Sequence, residues 1–502
     1  MLSRILGLVR DLVTAYFFGA GMAADAFFVA FRLPNLLRRL LAEGALTVSF
    51  IPIFTEYLHE RGRDEAFQLA KAALMLFSIV LAVVSILGVL LSPYIVYVFA
   101  PGFTDDPEKF KLTVLLARIM FPYIFLIGLV ALAMGVLNSL GRFAAPALSP
   151  VMLNIGMIAA VFLLTSRFQP PILALAIGVI VGGILQVLLQ IPSMAKEKGL
   201  LGVSFNFKHP ALKRIGLLMA PAALGAAVYQ FTVFINTLLA SFLPQGSVSY
   251  LYYADRVMQF PLGVFAIAIG TAVLPTMSRQ AAQRDMQALG HTLSFSMRLV
   301  FFITIPATVG IIVLAKPIVT LLFQRGQFDK ISSDATTQAL IAYAVGLCAL
   351  SAVQVLVRVF YSLQDTKTPA KIAAYSLLGN MVLGVSLMLP LKHVGLALAS
   401  TGGSILNFFL LVIVLRKRLG RIDGRNIARS ATKNLVWALG MALVVYLVGR
   451  VGWGIIGNHS LRLLVKVVVG ISAGGSTYAV LALIFKAPEA KSLINQFRRR
   501  AA

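Results

Sequence analysis

The sequence has few charged residues and a single cysteine. Only 12% of its 502 residues are Asp, Glu, Lys or Arg, whereas a soluble domain carries about 25%. Cys348 is the one cysteine, which excludes an intrachain disulfide, and the five histidines are scattered without the spacing of metal ligands. We therefore expect neither a disulfide-stapled domain nor a zinc or other metal site.

Signals for nucleotide and nucleic-acid binding are also lacking. No Gly-Lys dipeptide occurs, so the P-loop motif is absent. The net charge of +26 comes from 44 Lys and Arg against 18 Asp and Glu, but these cations are spread over short loops and form no basic face. The acids Asp105 and Asp106 fit a solvated turn better than a site for metal-bound pyrophosphate. We expect no enzyme, no nucleic-acid partner and no cofactor.

What the sequence has instead is a succession of long apolar segments. Hydrophobic residues make up 59% of the chain and the mean hydropathy is +0.90. A helix needs about 20 residues to cross a ~30 Å hydrocarbon core. Fourteen segments meet this length, near residues 2–18, 24–56, 68–99, 109–139, 144–166, 171–194, 213–242, 247–277, 287–323, 335–363, 369–390, 393–415, 428–450 and 461–485. They predict an all-α integral membrane protein.

The loop charges predict the orientation of these helices. Loops after even-numbered segments, together with the C-terminal tail, contain 25 Lys and Arg, whereas loops after odd-numbered segments contain nine. Cytoplasmic loops carry the excess of cations in membrane proteins. Both termini are therefore predicted to be cytoplasmic.

The first half of the sequence is repeated in the second. "LSPYIVYVFAPGF" from residue 91 aligns with "LAKPIVTLLFQRGQF" from residue 314, which brings Pro93 onto Pro317 and Gly102 onto Gly326 at an offset of 224. "SLGRFAAPA" aligns with "SLQDTKTPA" at an offset of 223. The offset covers six helices, so the halves have the same orientation, as in parallel-repeat transporters. We predict pseudo-symmetric six-helix lobes at 1–200 and 201–422, followed at 423–502 by helices 13 and 14 and a basic tail.

Arginines inside the predicted spans are the candidate functional residues. A charge at the bilayer centre costs at least about 2.5–3.5 kcal/mol, so such a residue usually faces a protein interior or an aqueous cavity. On helix 1, Ser3, Arg4, Arg10 and Asp11 share an arc of about 120° at 100° per residue. Arg4 also fits a terminal cation that extends to the interface, an interpretation that is weaker for Arg10 near the middle of the helix.

Helix 2 has an unusual density of charge for a membrane span. Asp25, Arg39 and Glu43 lie within about 40° of one another on an ideal helix. Arg39 and Glu43 are four residues apart and fit a structural ion pair. Pro34 is expected to kink the helix, so the phase of Asp25 relative to Arg38 is not fixed. Spacing alone does not choose between Arg38 and Arg39 as a ligand-binding residue.

Helix 8 carries a further cation in an aromatic context. Asp255 and Arg256 follow the run "YLYYA", and they fit either a local ion pair or a functional site. The repeat places Arg256 on Arg32 of helix 2, so each lobe is predicted to direct a cation into the cleft between the lobes. Several arginines with few compensating acids favour an anionic ligand, and guanidinium groups match phosphate oxygens well.

These residues also carry a family resemblance. The stretches "SRILGLVRD", "GAGMAADAFFVAFRLPNLLRRLLAEGA", "SVSYLYYADRVMQFPLGV" and "FYSLQDTKTP" resemble the MurJ (MviN) lipid II flippases of the multidrug/oligosaccharidyl-lipid/polysaccharide (MOP) exporter superfamily. The resemblance implies fourteen helices, a cationic central cavity, and a groove on helices 13 and 14 for a lipid tail. It implies lipid II as substrate, membrane lipids as surroundings, and the bacterial cytoplasmic (inner) membrane as location.

The resemblance also assigns residues. It implies that Arg4, Arg10, Arg38 and Arg256 bind the substrate with Ser3, and that acidic residues support them, namely Asp11, Asp25, Glu43 and Asp255. It thus selects Arg38 over Arg39. Family members extend further before the Ser-Arg pair of helix 1, so either the start is truncated or misassigned or this helix is short. The energy source is expected to be the membrane potential or an ion gradient.

The main alternative is a drug or organic-cation antiporter of the same superfamily. A cationic substrate calls for carboxylates and aromatic side chains in the cavity. The predicted cavity is rich in arginine instead, which favours the anionic lipid.

Overall fold

The computed structural model describes residues 2–40, 46–200, 202–263, 267–420, 423–450 and 459–491, and over these residues it contains helices and no β-strand. The α-helices are α1 (Leu2–Phe18), α2 (Met22–Leu37), α3 (Thr47–Glu60), α4 (Arg63–Leu90), α5 (Ser92–Phe99), α6 (Pro107–Met120), α7 (Tyr123–Ser139), α8 (Ala144–Leu164), α9 (Leu173–Ala195), α10 (Pro210–Ser241), α11 (Ser247–Pro261), α12 (Ile267–Ala282), α13 (Met286–Phe323), α14 (Lys330–Val345), α15 (Leu347–Ser362), α16 (Lys367–Leu419), α17 (Gly424–Arg450) and α18 (His459–Ile484). A short 3-10 helix, Pro101–Asp105, precedes α6.

The predicted apolar segments coincide with these helices. Each segment corresponds to one helix, to two consecutive helices, or to one part of α16. Within the described ranges, eight helices are long and apolar enough to cross a membrane, and a ninth span results if α14 and α15, bent by 44°, count as one. The all-α membrane fold is confirmed, and the number fourteen stays a prediction.

Two interruptions in the helices have local causes. α2 continues past Pro34 and ends at Leu37, where a wider π-type turn begins at Arg38. α16 is broken at Lys392, whose φ of 51° is not helical, two residues after Pro390. The break separates the predicted segments 369–390 and 393–415, so α16 consists of two helices joined at a kink.

The structure divides into two compact units. Unit 1 comprises Met1–Ser249 with Arg325–Phe328, and unit 2 comprises Tyr250–Gln324 with Asp329–Ala502. Within unit 1, α8 and α9 approach so closely that a Cβ on Gly156 would lie only 2.5 Å from the Cα of Gly182. Small residues allow such contact between helices in membranes. The lobe boundaries taken from the repeat remain predictions.

Helix starts show the sequence repeat inside each unit. Asp106 is the N-cap of α6 and accepts from the backbone N–H of Glu108 and of Lys109 at 3.2 and 3.1 Å. Asp329, at an offset of 223, is the N-cap of α14 and accepts from Ser332 N–H at 2.8 Å. The hydrogen bonds from Ser332 lower the pKa of the Asp329 carboxyl, because they stabilise its charged form.

The turn after the fourth predicted helix of each repeat, which follows α7 and α15, is also the same in both units. Gly141 and Gln364, at an offset of 223, both have positive φ, at 73° and 57°. The next residues carry opposite charges. Arg142 donates to the buried carboxylate of Glu197 at 3.0 Å, whereas Asp365 accepts from Arg418 at 2.6 Å.

The two loops with matched glycines pack tightly against helix ends in unit 1. Gly102 N–H donates to Ser241 Oγ at 3.1 Å, at the end of α10. Its counterpart Gly326, at an offset of 224, lies against the end of α1, where a Cβ would be 2.3 Å from the carbonyl oxygen of Tyr16. The same loop is held by Gln327 N–H, which donates to that oxygen at 2.9 Å. Backbone packing therefore requires glycine at residue 326.

Replacing Gly326 by alanine should destabilise the protein more than the same change at Gly141. Both glycines have positive φ, so both substitutions cost about 1–2 kcal/mol of backbone strain. A Cβ at residue 141 meets nothing within 4 Å, whereas one at residue 326 meets the Tyr16 carbonyl. Overpacking of this kind typically costs a further 1–3 kcal/mol or so. Thermal unfolding of the purified variants checks this, and equal melting temperatures would contradict the packing argument.

Candidate functional site

Arg10 and Asp11 form a buried ion pair on α1. Asp11 Oδ1 accepts from Arg10 Nε at 3.0 Å and from Nη2 at 2.7 Å, and the two residues are only 7% and 2% exposed. Arg10 Nη1 also approaches Met157 Sδ of α8 at 4.0 Å. The carboxylate offsets part of the free-energy cost of removing the guanidinium from water. A phosphate ligand would have to share this guanidinium with Asp11.

The first turn of α1 holds the other two residues assigned to helix 1. Arg4 is exposed and Ser3 is half-buried. The Ser3 carbonyl accepts a hydrogen bond from Asn154 Nδ2 of α8 at 3.4 Å. α1 and α8 are therefore joined along their length, by Ser3 and Asn154 at one level and by Arg10 and Met157 at another.

Arg38 lies where α2 ends. Its Nε donates to Asn35 Oδ1 at 2.8 Å, so the residue one turn earlier orients the guanidinium. Arg38 and Arg39 are both half-buried. Glu43, the predicted partner of Arg39, lies outside the described residues. The choice of Arg38 over Arg39 accordingly stays a prediction.

Arg256 and Asp255 lie on α11 in unit 2. The Arg256 guanidinium is stacked on Tyr252, with its carbon 4.9 Å from the ring centroid, and Nη2 donates to Tyr252 Oη at 2.8 Å. Asp255 is exposed and accepts from Gln259 Nε2, one turn later. Cation–π contact and the phenol together fix the position of the arginine. The run of tyrosines before Asp255 supplies this support.

The repeat counterpart of Arg256 has a different partner. Arg32 Nη1 donates to Thr237 Oγ1 of α10, within unit 1. The sequence predicted that both cations serve the same cleft. The two side chains have unlike surroundings, a threonine hydroxyl for Arg32 and a tyrosine ring for Arg256. Equivalent positions in the repeat thus do not imply equivalent contacts.

Asp25 is the centre of a polar cluster that the sequence did not reveal. It is 1% exposed, and its Oδ2 accepts from Lys109 Nζ at 2.9 Å and from Gly246 N–H at 2.8 Å. Its Oδ1 accepts from Ser249 N–H at 2.9 Å and from Ser249 Oγ at 2.6 Å. The carboxylate lies at the N-terminus of α11, where backbone N–H groups favour negative charge.

Lys109, at the start of the predicted segment 109–139, is buried. It belongs to the first turn of α6, is 6% exposed, and its ammonium lies 4.0 Å from the ring centroid of Phe103. The polar sequence around it, Asp105 to Lys111, is typical of a loop, which conceals this role. Asp25 and Ser249 are 224 residues apart and so equivalent in the repeat, but this equivalence alone does not predict a contact.

The structure offers no candidate metal centre in the part of the chain that it describes. Within those residues, no group of three or more His, Cys, Asp or Glu side chains is arranged to hold a metal ion. The chemistry available is that of guanidinium and ammonium groups paired with carboxylates and phenols. Such groups bind anions through charge-assisted hydrogen bonds.

The helical architecture with buried cations is that of a polytopic membrane transporter, and the comparisons with known proteins identify its family. The family model described as "Lipid II flippase MurJ" matches residues 14–464. A probable lipid II flippase MurJ of Vibrio cholerae is 40% identical over 418 residues, 82% of this chain and 80% of that protein. The lipid II flippase MurJ of Burkholderia cenocepacia is 39% identical over 422 residues, 83% of this chain and 82% of that protein.

Solved structures show the same relationship. A structure of lipid II flippase MurJ in an inward closed conformation has a TM-score of 0.80 at 27% identity, and covers 96% of this chain and 97% of that one. An inward-facing multidrug resistance MATE family transporter of the MOP superfamily has a TM-score of 0.71 at 15% identity, with 84% and 96% covered, and shares the fold alone. The chain belongs to the MurJ family of lipid II flippases.

Replacing Asp25 by asparagine should destabilise the protein strongly. The change leaves the Lys109 ammonium buried without its carboxylate, and breaking a buried pair in this way costs about 3–5 kcal/mol. Adding Lys109→Met to Asp25→Asn removes the orphaned charge and should recover part of the loss. Thermal unfolding of the two single variants and the double variant measures this coupling. Additive losses would show that the two charges do not depend on each other.

Proposed function

We propose that this chain is a lipid II flippase, which moves the undecaprenyl-pyrophosphate-linked disaccharide pentapeptide from the cytoplasmic to the outer leaflet for peptidoglycan synthesis. The observation that carries the proposal is the match to the MurJ family over residues 14–464. The described arginines are consistent with it, since Arg10 and Arg256 lie on helices of a membrane protein and Arg38 is the C-cap of another. Intramembrane cations of this kind mark substrate pathways.

The proposed mechanism is alternating access. Arg10, Arg38 and Arg256 replace water around the pyrophosphate, with Arg4 and Ser3 nearer the start of α1. Asp11 and Asp255 hold neighbouring side chains in place. The family resemblance assigns the same supporting role to Asp25 and Glu43. Since the sequence lacks a P-loop, the energy comes from the membrane potential or an ion gradient, where moving one charge across 100 mV supplies about 2.3 kcal/mol.

The prenyl tail would stay in contact with α17 and α18. These helices pack on each other and present large apolar side chains outward, among them Val436, Leu443 and Val468, which are 61%, 60% and 50% exposed. Burying apolar area is the main source of affinity for a hydrocarbon chain. The headgroup chemistry would belong to the other helices.

The proposed location is the bacterial cytoplasmic membrane, with both termini in the cytoplasm. The support is the excess of Lys and Arg on alternate loops. Ion pairs also occur at the ends assigned to the cytoplasm. Arg63 and Arg142 both donate to Glu197, and Arg214 donates to Glu56 at 2.6 Å.

The alternative, a drug or organic-cation antiporter, has weaker support. The MATE-family structures that share the fold are 14–17% identical to this chain. Such a low identity supports a common fold but not a common substrate. A cation-binding cavity would require carboxylates without cationic partners. Asp25 and Asp11 have Lys109 and Arg10 as partners instead.

Arginine variants test the proposed headgroup site. Each of Arg10, Arg38 and Arg256 is expected to contribute about 1.5–3 kcal/mol through hydrogen bonds to phosphate, so Arg→Ala should weaken lipid II binding by roughly tenfold or more. Arg→Lys keeps the charge but loses the bidentate hydrogen bonding of the guanidinium, and should recover only part of the affinity. Because Arg10→Ala leaves Asp11 buried and uncompensated, Arg10→Ala/Asp11→Asn is the variant to measure at that position.

Arg39→Ala is the matched control for Arg38→Ala, since the two residues are adjacent and both half-buried. Its loss should lower the yield of folded protein more than the affinity for lipid II. Binding of labelled lipid II to monodisperse purified protein provides the measurement. Loss of binding in well-folded Arg39→Ala, with normal binding in Arg38→Ala, would overturn the assignment of the arginine on helix 2.

A further inference from the structure

A cavity within unit 1 adjoins the proposed headgroup site. It lies between α2, α4, α7 and α10 and has a volume of about 70 Å³, which suits one short hydrocarbon unit rather than a whole drug-sized ligand. The described residues that line it include Leu37, Phe77, Val80, Ile127 and Met219. All of these are apolar.

One cation borders this apolar space. Arg38 is the charged member among the described lining residues. Its Nε is held by Asn35, which fixes the guanidinium at the end of α2. A hydrocarbon surface beside a guanidinium fits a ligand in which an apolar group is bonded directly to an anionic group.

The walls of the cavity are packed firmly. A Cβ on Gly128 of α7 would lie 2.1 Å from Leu81 Cδ1 of α4, and both residues border the cavity. The two helices thus meet closely at this level of the cavity wall. An apolar cavity of this kind has few partners for water.

We propose that this cavity holds the isoprenyl unit nearest the pyrophosphate of the lipid-linked substrate, while Arg38 contacts the phosphate. The inference rests on the proposed function and deepens it, since it adds a second hydrocarbon site to the one assigned to α17 and α18. It makes a specific demand on the ligand. Affinity depends on the first carbons attached to the phosphate, and not only on the distant part of the chain.

Two water-soluble pyrophosphate esters test the proposal on the full-length protein in nanodiscs. Dimethylallyl pyrophosphate and methyl pyrophosphate carry the same charge and differ by four carbons. Each competes with labelled lipid II. Because one buried methylene contributes roughly fourfold in affinity, dimethylallyl pyrophosphate should compete at least tenfold more strongly than the methyl ester. Equal competition by the two esters would overturn the inference.

Val80→Phe fills the cavity, and Val83→Phe is its matched control. Both valines lie on α4 and are 46% and 50% exposed, so each has room for a larger side chain, but only Val80 is among the lining residues. Val80→Phe should reduce the tenfold preference to below about threefold and leave competition by the methyl ester unchanged. Val83→Phe should keep the preference. Equal effects of the two substitutions would contradict the proposal.

The same competition assays also distinguish a failure of this inference from a failure of the proposed function. Arg38→Ala should weaken competition by both esters. If both esters compete through Arg38 without a preference for the longer one, the cavity assignment fails and the headgroup site stands. If neither lipid II nor the esters bind the wild-type protein, the proposed function fails and the cavity assignment with it.

Discussion

The buried carboxylate of Asp25 is the interaction on which unit 1 depends most. Four donors surround it, contributed by Lys109, Gly246 and Ser249. A carboxylate removed from water costs several kcal/mol, which only close charge pairing and hydrogen bonds offset. The Asp25 side chain therefore joins α2, α6 and the start of α11. Moving any of these elements away would leave the buried carboxylate or the Lys109 ammonium without a hydrogen-bond partner.

The backbone contacts around α1 and α10 follow the same logic. Gly102 and Gly326 allow their loops to touch the ends of α10 and α1, where any side chain would collide with a carbonyl or an adjacent backbone atom. Asp25 and Ser249, which occupy equivalent positions in the repeat, are themselves hydrogen-bonded. Equivalent positions of the repeat thus have different roles. Arg142 and Asp365 also show this, since they carry opposite charges and pair with different residues.

The sequence predicted the membrane fold well because the bilayer imposes a simple rule. A span must be about 20 apolar residues long, so segments such as 144–166 and 428–450 coincide closely with α8 and α17. The repeat likewise aligned the two segments that form matching turns at Gly141 and Gln364. Apolar spans and repeated segments can be recognised from the amino-acid composition and the order of residues alone.

The polar cluster could not be predicted in this way. Lys109 has the sequence surroundings of a loop residue, and its burial follows from a partner 84 residues away. Arg38 and Arg39 differ by one position at a turn whose geometry a periodic helix does not describe. Pairing across the chain and the exact phase after Pro34 are tertiary properties, so the family resemblance selected Arg38 where spacing could not.

The central claim, that the chain transports an anionic lipid across the membrane, has a direct test. Purified protein is reconstituted into liposomes that contain lipid II, and an impermeant enzyme that cleaves lipid II is added outside. The account predicts that the inner-leaflet pool becomes cleavable much faster than in protein-free liposomes, without ATP. Retention of that pool, together with saturable exchange of an organic cation by the same preparation, would contradict it.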